Sequence, residues 1–220
     1  MRRPHTTDIP RTLDEAVDAG PLALIVYDVQ VGIVNQLADG PRVVERVADV
    51  LDLARSTGMT VWFTRHMSLP LAEAGVAALR TAMDWQHVDD PDGLTVPFPR
   101  DSPQFQIVPE LAPRSDEVIV DKITMSALVG TFLDIALRDR GIRTFLIAGI
   151  ATEVGIEPTV RHACDLAYLP VVVTDACGHG NAEAARRSLD ALAFAGGSLQ
   201  VDTPALRTAL AAAPGRSSTR

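Results

Sequence analysis

Short aliphatic runs recur along the chain and alternate with stretches whose apolar positions fall three and four residues apart. The run PLALIVYDV (21–29) is dense in β-branched and aliphatic residues, the pattern of a strand buried on both faces. GPRVVERVADVLDLARSTG follows. It places Val43, Val44, Val47, Val50, Leu51 and Ala54 on one helical face, with Gly58 as its stop. MTVWFT predicts a second strand, EVIVDK (117–122) a third, RTFLIAG a fourth, LPVVVTDA a fifth and SLQVDT a short last one. Between them, SALVGTFLDIALRDRG carries Leu128, Phe132 and Ile135 at helical spacing, with Ser126 able to cap and Gly141 closing. Another helix begins near Gly155, NAEAARRSLDALAFAG gives the next, and ALRTALAAA looks helical before a frayed tail. The proline-rich stretch 66–114 has no persistent period. A connection that long in a compact domain reads as a lid or binding wall.

This alternation predicts an α/β fold of three αβα layers: a mostly parallel sheet of five to six strands with helices on both faces. One domain is expected over 1–220, with 1–20 as an N-terminal extension and 213–220 as a flexible tail. Right-handed crossovers gather the carboxyl ends of the strands along one edge, where ligands bind. Asp28 ends the first strand, Lys122 the third, and the segment 149–155 leaves the fourth, so all three can meet in one cleft.

Composition narrows the function classes. Hydrophobic residues make up 47% of the chain and charged residues 22%, ordinary for a soluble globular protein. The 28 acidic and 20 basic residues leave a net charge of −8 with no basic run. A small-molecule substrate is therefore expected, with neither nucleic acid nor membrane as a partner. No segment approaches the roughly 20 apolar residues of a membrane span, and MRRPHTTDIPRT resembles no secretory or twin-arginine signal. Cys164 and Cys177 make neither a disulfide framework nor a metal cluster, so a reducing cytoplasm is the expected location.

Taken singly, the candidate groups are unremarkable in type: an aspartate at a strand end is commonly a turn residue, and a lysine there a solvated charge. Together, YDVQ, DKITMSAL and GIATEVGIEPT occur in order on the expected elements, from about Pro21 to Ala176. In this they resemble the isochorismatase-like hydrolase superfamily, which includes nicotinamidases and other cysteine amidohydrolases. The resemblance implies that Asp28 is the acid/base and Lys122 its catalytic partner. It also implies substrate-binding positions at Gln30 and Ile150, and His66 is a further substrate-binding candidate. The family often has a non-proline cis peptide in the turn after the fourth strand, here Ile150–Ala151. It aims the Ala151 N–H into an oxyanion hole shared with the N–H of residue 155. Homo-oligomers, dimers or larger, are a further family-level expectation.

The departure is at residue 155, where most members carry the attacking cysteine and this chain has glycine. Losing a covalent nucleophile typically costs about 10⁶ in rate, which excludes ordinary thioester chemistry. Cys164 lies on the stripe Ile156, Val160, Ala163, Cys164 and Ala167 and reads as a packed small hydrophobe. Cys177, at the end of the fifth strand, matches no family nucleophile. Isochorismatases proper also carry a small non-nucleophilic residue at this place and hydrolyse a vinyl ether, which by analogy makes Asp28 a general acid. Burial raises a carboxyl pKa and a neighbouring ammonium lowers it, so the sequence leaves the sign open. Gly155 has two readings, an anion-binding helix start with space opened for substrate or water, or a residue that only permits a tight turn. His66 stands alone in TRHMSLPL, so no metal or other cofactor is expected; it either lines the pocket or is a satisfied loop histidine. Trp85, Phe98 and Phe105 are candidates for pocket lining or loop anchors. Three readings remain: Asp-driven hydrolysis of a small, anionic or carbonyl-bearing metabolite, an amidase using directly activated water, and a non-catalytic ligand-binding or scaffold protein.

Overall fold

A computed structural model describes residues 9–212; the predicted tail at 213–220 lies outside the described residues. Six strands form one sheet: β1 (Leu22–Tyr27), β2 (Thr60–His66), β3 (Val118–Lys122), β4 (Thr144–Gly149), β5 (Leu169–Cys177) and β6 (Leu199–Val201). Their order is β3-β2-β1-β4-β5-β6, and every neighbouring pair is parallel. The chain therefore winds outward from β1 in one direction and then, from β4, in the other. The switch point lies between β1 and β4, and open α/β sheets bind ligands outside the carboxyl ends of their strands at such a point.

Eight helices are described: α1 (Leu13–Asp18), the one-turn α2 (Val31–Val34), α3 (Gly40–Ser56), α4 (Val76–Gln86), α5 (Leu133–Asp139), α6 (Glu157–Asp165), α7 (Ala182–Ala195) and α8 (Thr203–Ala212). One face of the sheet packs Leu24, Val26 and Leu146 against Val43, Val47, Val50 and Leu51 of α3, with Leu206 and Leu210 of α8. The other packs Ile25, Phe145 and Ile147 against Leu133 and Leu137 of α5, Val160 of α6 and Leu192 of α7. Every residue on the predicted apolar face of α3 is buried, and Gly58 ends that helix with φ +69°. Such a conformation favours glycine. Part of the N-terminal extension folds as α1, capped by Thr12 and burying Ala16 and Val17.

Two expectations fail for a common reason. Residues 123–132 are irregular, so Ser126 caps no helix; its hydroxyl sits 3.0 Å from His162 Nδ1. The short α5 buries Leu133 and Leu137, while Phe132 and Ile135 are 51% and 64% exposed. The spacing of apolar residues was real, but their face looks outward. Conversely, the aperiodic 66–114 stretch contains α4, built of good helix formers with none of its residues buried. A helix that covers no core leaves no hydrophobic period to read.

Candidate active site

The site begins with the backbone at the end of β1. Asp28 adopts the left-handed region at φ +50°, which aspartate tolerates better than most residues. The residue is buried, 3% exposed. Oδ2 accepts from Lys122 Nζ at 2.6 Å, and Oδ1 accepts from the Thr64 hydroxyl at 2.5 Å. Thr64 also accepts from the Asp28 N–H at 3.1 Å. The sheet order explains this triad. Lys122 ends β3, two strands and so about 10 Å from β1, and only a long side chain crosses β2 to reach Asp28. Thr64 lies on β2 between them. Lys122 Nζ donates a second bond to Thr124 O at 3.1 Å and stands 4.4 Å from the centre of the Tyr27 ring.

The turn after β4 forms the facing wall. The Ile150–Ala151 peptide is cis. The Ile150 N–H donates to Tyr27 O at 2.8 Å, tying the turn to β1, and Ile150 itself is buried. Gly149 precedes it with φ +138°, and a Cβ there would meet Tyr27 O at 2.0 Å, so only glycine fits. One π-helical turn, Thr152–Ile156, leads into α6, where Pro158 occupies the first turn as expected. Glu153 Oε1 accepts from the Gly180 and Asn181 N–H groups, both at 2.8 Å, and so clamps this turn to the start of α7.

Residue 155 departs from the expectations in two ways. Its N–H donates to Ala151 O at 3.0 Å, as does that of Ile156 at 3.1 Å. The Gly155 amide is thus used inside the turn, and of the two expected oxyanion donors only the Ala151 N–H has no hydrogen-bond partner among the described residues. Nor does the missing side chain open space for substrate or water. A Cβ on residue 155 would lie 2.0 Å from the Tyr27 hydroxyl oxygen and 2.4 Å from Cζ. Gly155 is also not among the positive-φ glycines. Glycine is required here by Tyr27, not by the conformation of a tight turn.

Of the other expected site residues, Gln30 is fully buried and its amide is occupied by backbone. Oε1 accepts from the His66 N–H at 2.6 Å, while Nε2 donates to Phe105 O at 2.8 Å and His66 O at 3.1 Å. Gln30 thus pins the segment around Phe105 to the ends of β1 and β2. His66 follows at the end of β2, opposite Lys122 in register and edge-on to Phe98. Burial, then the Lys122 charge, holds its imidazole below the usual 6.5 despite Asp28 nearby, so the ring is neutral at pH 7. Phe105 is buried under the Arg65 guanidinium, whereas Trp85 is 57% exposed on α4.

The two cysteines are accounted for. Cys164 donates to Gly197 O at 3.2 Å, and burial with the adjacent Asp165 raises its pKa. The fully buried part of its stripe ends at Ala163: Cys164 is half-buried, and Ala167 is exposed in a left-handed turn. Cys177 pairs with Gly149 in register, near the site, but burial pushes its thiol up to about 12. It is no thiolate at neutral pH. No group of three or more His, Cys, Asp or Glu able to hold a metal occurs among the described residues.

Two participants escaped the sequence pattern, Thr64 and Tyr27. Each was visible only as a hydroxyl interrupting an aliphatic strand, Thr64 in MTVWFT and Tyr27 in LALIVYDV.

A buried Asp–Lys pair at the switch point of an all-parallel sheet, faced by a cis-peptide turn, sits in a three-layer α/β fold of the kind found in hydrolases. The chain belongs to the isochorismatase family: the Isochorismatase domain matches residues 22–202. It is 32% identical over 160 residues to the isochorismatase family protein YwoC of Bacillus subtilis, covering 73% of this chain and 79% of that one. It is 32% identical over 179 residues to YecD of Escherichia coli O157:H7, covering 79% and 88%. Among solved structures, an isochorismatase family protein from Desulfovibrio vulgaris superposes with TM-score 0.72 at 27% identity, covering 86% of this chain and 98% of that one. A cysteine hydrolase from Pseudomonas syringae pv. phaseolicola shares the fold at TM-score 0.74 and 24% identity, over 86% and 92% of the two chains. No helix among the described residues is long and apolar enough to cross a membrane.

Proposed function

We propose that this protein hydrolyses a small, anionic or carbonyl-bearing metabolite by Asp28 acid/base catalysis, without a thiol nucleophile. The observation that carries the reading is the Asp28–Lys122 pair, buried at the switch point with glycine at residue 155. Asp28 accepts from two donors and offers a carboxylate to take a proton from water. The water oxygen then bonds to the electrophilic carbon, and the developing negative charge falls to Lys122 and the Ala151 N–H. As the leaving group departs, Asp28 returns the proton to it. Gln30 and Ile150 position the walls, and neutral His66 offers a ring nitrogen to substrate.

Amides join the candidate substrates because relatives include ureidoacrylate amidohydrolase RutB of Acinetobacter baylyi, 41% identical over 73 residues, 33% of this chain and 30% of that protein. The vinyl-ether route would instead use Asp28 as a proton donor, whereas both of its oxygens act as acceptors here, Oδ1 from the Thr64 hydroxyl and Oδ2 from Lys122. A homo-oligomer fits the apolar side chains left exposed on and after β3: Ile119, Ile123, Val129, Phe132 and Ile135.

The test is turnover of isochorismate and a panel of small amides and ureido acids by the wild type and by Asp28→Asn. The expected result is a detected activity that Asp28→Asn lowers by about 10²–10⁴. Unchanged activity in Asp28→Asn would falsify the acid/base assignment. Silence across the panel, with tight binding of a panel member, would favour a binding protein.

A further inference from the structure

The glycine at residue 155 and the tyrosine at residue 27 occupy one volume. A Cβ on residue 155 would come within 2.0 Å of the Tyr27 hydroxyl oxygen, 2.4 Å of Cζ and 2.5 Å of Cε1. Non-bonded carbon and oxygen atoms do not approach so closely, so the ring stands where a side chain at residue 155 would begin. Tyr27 is also firmly held. It is 2% exposed and its hydroxyl donates to Met125 O. Its carbonyl accepts from the Ile150 N–H at 2.8 Å, and Gly149 packs on its backbone. Swinging the ring away would break the Met125 bond and empty a filled core site. It would also remove the face over which the Lys122 ammonium sits at 4.4 Å.

Tyr27 is no replacement nucleophile. Burial, then the Asp28 charge, raises its phenol well above the usual 10.0, so it remains protonated at any working pH. It fills the thiol's place with a group that neither attacks nor ionises.

We propose that Tyr27 is the positioning residue that sets the reaction class of this site. Its ring excludes any side chain at residue 155, shutting the acyl-enzyme route, while the same ring face holds Lys122 against Asp28. Tyr27 and Gly155 then act as one coupled unit, and Gly155→Cys alone cannot recover a working thiol. This inference rests on reading residue 155 as the family's nucleophile position.

The experiment is a double-mutant cycle of Gly155→Cys, Tyr27→Val and their combination, with Tyr27→Phe/Gly155→Cys as the control that removes only the hydroxyl. Iodoacetamide alkylation is followed at residue 155 by peptide mass spectrometry, alongside the thermal midpoint. In the background of native Tyr27, the introduced thiol is expected to destabilise the protein and to alkylate about a hundredfold more slowly than in Tyr27→Val/Gly155→Cys. The Phe control should stay slow, because Cζ still blocks the site. With a p-nitrophenyl ester, only the Val double variant should show an acyl adduct at residue 155: the thiolate bonds to the carbonyl carbon, p-nitrophenolate leaves and a thioester remains.

Equal stability and equal alkylation of Gly155→Cys with and without Tyr27 would overturn the proposal. If the Val double variant does not fold, Gly155→Ala against Tyr27→Leu/Gly155→Ala measures the same clash by thermal midpoint. Recovery of stability in the pair supports the coupling, and strict additivity overturns it. These readouts need no native substrate. Their failure is therefore distinct from failure of the Asp28 assignment, which the Asp28→Asn turnover assay alone decides.

Discussion

Lys122 Nζ lies 2.6 Å from Asp28 Oδ2 across 94 residues of chain, with the side chains 0% and 5% exposed. Neither charge has bulk water to fall back on. Each is tolerated because the other, together with Thr64 and the Thr124 carbonyl, satisfies it.

Breaking the pair on one side should therefore destabilise more than removing both partners. Asp28→Asn or Lys122→Met alone is expected to cost about 3–5 kcal/mol by leaving an uncompensated buried group. Asp28→Asn/Lys122→Met should cost less than the sum of the single effects. Urea midpoints of the four proteins measure this, and simple additivity would count against a coupled buried pair.

Gln30 offers a separable prediction. Gln30→Met keeps volume but strips the partners from the His66 N–H and the His66 and Phe105 carbonyls. Each unsatisfied buried group costs about 1–3 kcal/mol. Faster proteolysis should appear in the segment around Phe105, with KM for any substrate found rising more than kcat falls. Unchanged cleavage there would mean that Gln30 does not anchor this wall.

A third prediction concerns acid stability. Arg55 forms a double ion pair with Glu117, 2.7 Å on each arm, and also donates to Leu111 O and Ala112 O, fastening the end of the 66–114 segment to α3. Burial alone would raise the Glu117 pKa, but hydrogen bonds from Arg55 and the Arg114 N–H outweigh it and lower it from 4.5. A carboxylate depressed on folding contributes stability fully above its unfolded value and loses it as pH falls through the folded one. The wild type should thus lose thermal midpoint below about pH 4.5 more steeply than Glu117→Gln. At pH 7 the variant should already be about 1.5–3 kcal/mol less stable, the worth of hydrogen bonds to a charged group. Parallel pH–midpoint curves would contradict this.

Much of the architecture was legible because it rests on local patterns. A strand covered on both faces must be aliphatic throughout, and a helix covering a sheet must repeat its apolar residues at 3–4 spacing. Where an element covers nothing, as α4 does, the pattern is silent. Where apolar residues face outward, as Phe132 and Ile135 do, it misleads. Asp28 and Lys122 were legible for another reason: they terminate strands, and parallel winding brings strand ends to one edge.

The sequence by itself determined the α/β alternation, the strand-end aspartate and lysine, the turn that follows β4 and the absence of a thiol at residue 155. Only the tertiary structure decided what fills the space beside residue 155, that the Gly155 amide is used within its own turn, and that Gln30 holds backbone. Periodicity reports whether a face is buried, but not which atoms fill the space against it. Tyr27 and Gly155 are 128 residues apart (155 − 27), and their contact exists only once β1 and β4 lie side by side with Tyr27 opposite Gly149.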